Sequence, residues 1–111
     1  MLHRLRSPLA VLVLALCCTT APRAVPAEPA ATVVLAHEFM FAPVMLTVDA
    51  GSTVTWKNTA EEPHTVVSED GLFRSGALDT NESFSFRFDR PGTYRYTCSI
   101  HPRMTGTIVV H

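Results

Sequence analysis

A seven-residue segment near the end of the chain, residues 98–104, holds the side chains best suited to chemistry. It contains a thiol at Cys98, an imidazole at His101 and a thioether at Met104, each three positions from the next. Thiolate and thioether sulfurs are soft ligands that favour copper(I), whereas imidazole binds copper in both oxidation states. The residue types and their spacing therefore predict that this segment binds a copper ion.

A copper site of the electron-transfer kind needs a second imidazole, because such sites combine two His and one Cys with a weak axial Met. His64 is the best upstream candidate, since it lies where a polar, turn-rich loop meets the β-branched run at residues 65–68. A strand that begins there would hold the ring rigidly. Of the other histidines outside the leader, His37 is expected to be a surface or strand-end residue, and His111 is the chain terminus, where fraying is common.

The first 27 residues have the pattern of a secretory signal peptide. Basic residues precede an apolar run, residues 9–16, that is too short to span a bilayer, and Ala27 is the predicted cleavage site. Cleavage there leaves residues 28–31 as a short lead-in and residues 32–111 as one domain in a periplasmic protein. Lipid attachment at Cys17 or Cys18 is the less favoured alternative, because Leu16 or Cys17 would occupy the preceding position, where a small residue is needed.

Removal of this leader leaves Cys98 as the single cysteine. An unpaired cysteine in an oxidising compartment cannot form an internal disulfide, and metal ligation would protect it. The exported segment holds six basic residues against ten acidic ones, a net charge of −4. This charge argues against nucleic acid or an anionic membrane surface as the partner. No stretch of the sequence reads as a membrane span.

The exported segment shows short runs with period-two alternation and no helical periodicity, which indicates an all-β protein. Val54 and Trp56 are expected to point inward, and so are Tyr94, Tyr96 and Cys98, which share one face of a strand. Short strands separated by turn residues predict a Greek-key β-sandwich of seven to eight strands. The predicted strands lie near residues 32–36, 44–48, 53–57, 65–68, 83–88, 93–98 and 105–110, with a brief one near 77–78.

These motifs resemble those of the cupredoxins, the plastocyanin and azurin superfamily of blue copper proteins, and are most similar to the amicyanin type. The resemblance covers residues 32–110 and rests on five motifs: Phe41-Ala42-Pro43, Gly51-Ser52-Thr53-Val54-Thr55-Trp56-Lys57-Asn58, Pro63-His64, Pro91-Gly92-Thr93-Tyr94-Arg95-Tyr96-Thr97-Cys98 and Cys98-x-x-His101-Pro102-x-Met104-x-Gly106. It implies one type 1 copper ion that alternates between Cu(I) and Cu(II), with His64, Cys98, His101 and Met104 as its ligands. It also implies a monomeric electron carrier, not an enzyme, that serves a cytochrome c or an exported dehydrogenase.

The same residues exclude several related folds and metal sites. An immunoglobulin-type core and a phytocyanin-like site would each need a disulfide, for which the exported segment has no second cysteine. A binuclear copper centre would need another Cys in the metal loop, where Ile100 and Pro102 stand. Structural zinc normally takes four strong Cys or His ligands, so a Met in the set argues against it.

A copper-binding module that stores, senses or delivers the ion is the alternative function, because it would use the same ligands. The chain has no Met- or His-rich tail for passing copper to another protein, which favours the electron carrier. Met40 and Met45 are expected to pack in the interior. An exposed Met40 near the metal end would instead favour copper handling.

The resemblance further implies that the ring edge of His101 reaches the surface within an apolar patch, where redox partners dock. Relatives often have Asn directly after the first His ligand, where its side chain ties the two ligand loops together, whereas this chain has Thr65. A Thr hydroxyl can supply part of that link, so the rigidity and the potential of the site depend on it. The candidates for the apolar patch are Phe41, Pro43, Pro63 and Pro102.

Overall fold

The computed structural model describes residues 8–22 and 32–111, and the strands lie in the second range. They form two four-stranded sheets, with strand orders β2-β1-β4-β6 and β3-β8-β7-β5. The pairs β1·β4 and β3·β8 are parallel, and the other neighbours are antiparallel. The predicted all-β sandwich is confirmed. Its strands are β1 (Val33–His37), β2 (Met40–Ala42), β3 (Met45–Val48), β4 (Ser52–Asn58), β5 (Val67–Ser68), β6 (Ser83–Phe88), β7 (Gly92–Thr97) and β8 (Thr105–Val110).

The structure describes only part of the predicted leader. Residues 8–22 form neither helix nor strand, and their side chains are exposed. Over the described ranges, the structure has no helix of the length and apolar character needed to cross a membrane. The predicted cleavage site after Ala27 and the lead-in at residues 28–31 lie outside the described residues.

The core lies between the two sheets and follows the period-two pattern of the strands. Val54 and Trp56 of β4 are fully buried, as is Tyr96 of β7. The Trp56 and Tyr96 rings pack edge to face across the core, with centroids 5.3 Å apart. Cys98 follows on the same face as Tyr96 and is also fully buried. The alternation along β7 therefore brings the thiol to the interior just beyond the end of the strand.

The predicted strand at residues 65–68 is shorter in the structure, because only Val67–Ser68 forms β5. The Val66 N–H donates to the Ser75 hydroxyl at 2.7 Å, and the Thr65 N–H donates to the Cys98 sulfur at 3.4 Å. Neither N–H is therefore available for a sheet ladder. The brief strand near residues 77–78 is an isolated bridge between Leu78 and His64.

The edge strands β2 and β3 differ most from the predictions. β2 was not predicted, and its central residue Phe41 is fully buried, so Phe41 is wrong as a surface-patch candidate. Met40 and Met45 are 57% and 63% exposed, which contradicts their expected packing in the interior. Neighbouring residues of a strand face opposite sides, so the burial of Phe41 turns Met40 outward. Val44, the first residue of the predicted strand at 44–48, precedes β3 and is exposed.

Tyr96 gives the fold a specific dependence on pH. Burial raises the pKa of Tyr96 to about 12, and the nearby Trp56 N–H opposes this rise, although its geometry does not make a hydrogen bond to the Tyr96 hydroxyl. The folded protein therefore keeps this proton to higher pH than the unfolded chain does. Stability from Tyr96 is fully present below pH 10 and is lost as pH rises towards 12. We expect the free energy of unfolding to fall by at most about 3 kcal/mol across this interval because of Tyr96.

Tyr96→Phe is the variant that isolates this effect. Among the described residues the Tyr96 hydroxyl has no hydrogen-bond partner, so its removal leaves no buried group newly unsatisfied. We expect unchanged or slightly higher stability at pH 7 and a weaker loss at high pH. Urea unfolding of both proteins at pH 7, 9.5 and 11.5 measures this. Identical pH dependence in the two proteins would contradict the assignment to Tyr96.

Candidate metal centre

Three donor atoms converge at one end of the sandwich. The Nδ1 atoms of His64 and His101 lie 3.2 Å apart, and the Cys98 Sγ lies 3.9 Å from the first and 3.7 Å from the second. A point equidistant from the three atoms lies roughly 2.1 Å from each, close to the bond lengths that protein nitrogen and sulfur ligands make to metal ions. The structure therefore brings together three of the four residues predicted as ligands in a geometry that suits one metal ion.

The backbone of His64 is held by two hydrogen bonds to Leu78. Its N–H donates to the Leu78 carbonyl at 3.1 Å, and its carbonyl accepts the Leu78 N–H at 2.7 Å. The side chain of Asn58 supports the same loop, because its Nδ2 donates to the carbonyls of Glu62 and Leu78, each at 2.8 Å. Asn58 makes this contribution away from Cys98, so it does not replace the Asn that relatives often have after the first His.

The His64 ring is in the state that a metal requires. It is fully buried, and its Nδ1 is the ring nitrogen that faces Cys98 and His101. Burial and the nearby His101 hold the pKa of His64 below its usual 6.5, against an opposing effect of the Glu62 carboxylate. The ring is therefore neutral at pH 7, and neutral imidazole is the form that binds metal.

The segment 98–104 closes on itself through backbone hydrogen bonds. The Cys98 N–H donates to the Met104 carbonyl at 3.0 Å, and the Met104 N–H donates to the His101 carbonyl at 2.9 Å. The antiparallel pair Thr97↔Thr105 joins β7 to β8 at the base of the loop. Met104 is buried in the same core cluster as Cys98. The ligand loop is therefore a tight turn fixed at both ends by the sheet.

Thr65 links the two ligand loops. Its N–H donates to the Cys98 sulfur, and its Oγ1 accepts the Ser99 N–H at 2.7 Å. The Oγ1 also lies 2.8 Å from the Ser99 hydroxyl. The expected link through a Thr hydroxyl is present, although the sequence did not identify Ser99 as its partner.

The surface beside His101 differs from the predicted patch. The ring of Phe39 stands edge to face against His101, with centroids 4.9 Å apart, and lies 6.0 Å from His64. Phe39, Ile100 and Pro102 line a depression around the exposed edge of His101. Sequence reasoning found Pro102 but missed the other two. Pro43 and Pro63 are exposed but do not line this depression.

Phe39 reaches this position through an unusual turn. Glu38 and Phe39 form the two-residue connection between β1 and β2, with φ angles of 49° and 58°. Positive φ at both central residues is the requirement of a type I′ hairpin turn, which usually selects Asn and Gly. The sequence has neither residue here, so no turn signal marked Phe39.

The other two histidines that the structure describes, His37 and His111, lie away from this cluster. His37 is exposed, and its ring lies 3.5 Å from the Glu38 carboxylate, whereas His111 lies 2.9 Å from Asp49. In residues 8–22 and 32–111, the cluster of His64, Cys98 and His101 is the one group of three His, Cys, Asp or Glu side chains placed to share an ion. The expectation that His37 is a surface residue is confirmed.

Comparison with known proteins agrees with this fold and site. Residues 8–110 match the model of the cupredoxin-like domain family. Amicyanin-alpha of Methylorubrum extorquens is 41% identical over 68 residues, which are 57% of this chain and 57% of that protein. Plastocyanin of Scenedesmus fuscus is 40% identical over 84 residues, which are 64% of this chain and 86% of that protein.

A solved structure of the Cu(I) form of an amicyanin mutant superimposes with a TM-score of 0.70 at 31% identity, covering 76% of this chain and 85% of that one. The eight-stranded sandwich, the converging donor atoms and these matches lead to one conclusion. The chain belongs to the cupredoxin-like domain family.

Proposed function

We propose that this protein binds one type 1 copper ion and transfers single electrons between exported redox partners. The observation that supports this most directly is the triangle formed by the donor atoms of His64, Cys98 and His101. Met104 is the proposed axial ligand. The bound ion supplies a one-electron couple between Cu(I) and Cu(II).

The donor set fits copper better than the common alternative, zinc. A buried thiolate, two imidazoles and a thioether suit the soft Cu(I) state and are tolerated by Cu(II). Structural zinc takes four strong nitrogen or sulfur ligands, and the thioether of Met104 is a weak one. The low pKa of His64 adds a neutral nitrogen donor at pH 7.

The protein contributes rigidity, which is what rapid electron transfer requires of the ligands. Leu78 fixes His64, the Met104 carbonyl fixes Cys98, and the hydroxyl of Thr65 joins the two loops. Side chains held this way keep their positions when the charge of the ion changes. The partly exposed His101 ring then gives electrons a short route from the buried site to the surface.

The proposed setting is the periplasm, after removal of residues 1–27 and with residues 32–111 acting as a monomeric domain. The leader pattern of the sequence and the amicyanin relatives support this proposal. A cytochrome c or an exported dehydrogenase is the proposed kind of partner, and the protein acts as a carrier and not as an enzyme. The apolar depression lined by Phe39, Ile100 and Pro102 suits a small, short-lived contact.

Copper delivery is a second candidate function, and one observation favours it. Met40 is 57% exposed and lies directly after Phe39, whose ring contacts His101. An exposed thioether is a soft ligand that can receive Cu(I) as it leaves a site. The two functions differ in what moves, because a carrier exchanges electrons and a delivery protein exchanges the ion.

Measurement of both exchanges on the copper-loaded protein separates the two functions. For an electron carrier we expect intense visible absorption of the Cu(II) form, rapid electron self-exchange by NMR and slow loss of copper to a chelator. Met40→Leu should change none of these, because Met40 lies outside the ligand set. Slow self-exchange with rapid copper loss that Met40→Leu suppresses would favour delivery, and a colourless Cu(II) protein would overturn the site itself.

A further inference from the structure

We infer that the Thr65 hydroxyl donates a second hydrogen bond to the Cys98 thiolate, while the Ser99 hydroxyl donates to the Thr65 oxygen. The inference rests on the proposed copper site and goes beyond it, because it assigns the group that sets the charge on the sulfur. Thr65 then acts as a positioning residue for Cys98. It is the residue at which this chain departs from the Asn that relatives often have.

The Thr65 Oγ1 has three polar neighbours but only one proton to donate. It lies 2.7 Å from the Ser99 backbone nitrogen, 2.8 Å from the Ser99 Oγ and 3.7 Å from the Cys98 Sγ. The Ser99 N–H can only donate, so it occupies one of the two acceptor positions of the Thr65 oxygen. The Thr65 proton must then point either to the Ser99 oxygen or to the Cys98 sulfur.

Charge and solvent exposure favour the sulfur. A thiolate bound to metal keeps negative character, and hydrogen bonds to charged acceptors are stronger than those between neutral groups. Cys98 is fully buried, so its sulfur cannot take a water molecule in place of the Thr65 proton. Ser99 is exposed, so its hydroxyl can donate to the Thr65 oxygen and accept from solvent. In this arrangement every polar atom of the network is satisfied.

The consequence is a sulfur held by two donors from one residue. The Thr65 N–H already donates to the Cys98 sulfur at 3.4 Å, and the hydroxyl of the same residue adds a second bond. Each donor withdraws charge from the sulfur and favours Cu(I), because hydrogen bonds around the Cys sulfur tune the potential of such sites. Thr65 follows His64 directly, so the two groups that donate to the Cys98 sulfur are attached to the residue next to a proposed copper ligand.

Three variants test the inference: Thr65→Val, which keeps the shape without the hydroxyl, Thr65→Ser, which restores it, and Ser99→Ala. The reduction potential reports charge at the sulfur, and hydrogen exchange of the Ser99 amide in the copper-free protein reports the link between loops. For Thr65→Val we expect a lower potential, equivalent to about a tenfold change in the Cu(I)/Cu(II) ratio or about 59 mV, and faster exchange at Ser99. Thr65→Ser should recover both readouts.

Ser99→Ala separates the two directions of the Thr65 proton. If that proton already points to the sulfur, Ser99→Ala leaves the potential near the wild-type value. A higher potential in Ser99→Ala would overturn the inference, because it would mean that the proton had been released from Ser99 to the sulfur. An unchanged potential in Thr65→Val would overturn it as well. Both results presuppose a coloured wild-type protein, so a colourless wild type identifies failure of the proposed function instead.

Discussion

Replacement of Cys98 by Ser is expected to abolish the intense visible absorption of the Cu(II) protein. The thiolate is the donor expected to produce this absorption in a type 1 site, and a serine oxygen is a harder ligand that does not reproduce it. Cys98 is fully buried and its sulfur faces both imidazoles, so no other sulfur of the ligand loop is positioned to replace it at that corner of the triangle. Absorption spectra at equal copper content, verified by metal analysis, measure the loss.

Met104→Gln is the matched control for Cys98→Ser. It changes a ligand of the same loop but leaves the three converging donor atoms intact. We expect this variant to keep its copper and to show an altered band and an altered potential, because the axial ligand tunes the potential without supplying the main bonds. A Cys98→Ser protein that retained the wild-type band would refute the assignment of Cys98 as the sulfur ligand.

Replacement of Gly106 by Ala should destabilise the fold more than any other alanine substitution of a glycine outside the turns. Gly106 lies opposite Tyr96 in the β7–β8 pair, and a Cβ at this position would overlap the Tyr96 hydroxyl and come within 2.9 Å of its Cε2. The ring cannot move aside, because it packs against Trp56 and Phe41 in the core. We expect the free energy of unfolding to fall by about 1–3 kcal/mol.

The matched control is Gly76→Ala. A Cβ at Gly76 meets no atom within 4 Å, and the residue does not adopt a left-handed conformation. Its effect should stay within about 0.5 kcal/mol, whereas Gly106→Ala should lower the thermal midpoint by about 4–8 °C for each kcal/mol. Thermal unfolding of the copper-free proteins gives both values. Equal midpoints in the two variants would contradict the overlap with Tyr96.

The main strands and three converging residues were predictable because they depend on patterns that the sequence displays directly. Period-two alternation placed Val54, Trp56 and Tyr96 in the core, and the same alternation carried Cys98 inward. His101 follows at a spacing that one turn can close. Alternation of apolar and polar residues indicates which side chains of a strand are buried, and the buried faces of two sheets form the core of a sandwich.

Features that depend on long-range hydrogen bonds were not predictable in the same way. Residues 65–68 have the composition of a strand, but two of their N–H groups bind the Cys98 sulfur and the Ser75 hydroxyl instead of a neighbouring strand. The role of Ser99 depends on the same fold-dependent contact. Edge strands are ambiguous for another reason, since one side of the strand is unpaired and apolar residues such as Met40 and Met45 can face solvent there.

The turn at Glu38 and Phe39 means that the metal-site end of the protein is built from separate parts of the chain. The loop at residues 98–104 and His64 supply the donor atoms, whereas the ring that covers the His101 edge comes from the β1–β2 hairpin. A molecule that approaches His101 would therefore meet a surface to which both the hairpin and the ligand loop contribute. A substitution of Phe39 would change this surface without removing any of the three converging donor atoms, because Phe39 belongs to a separate part of the chain.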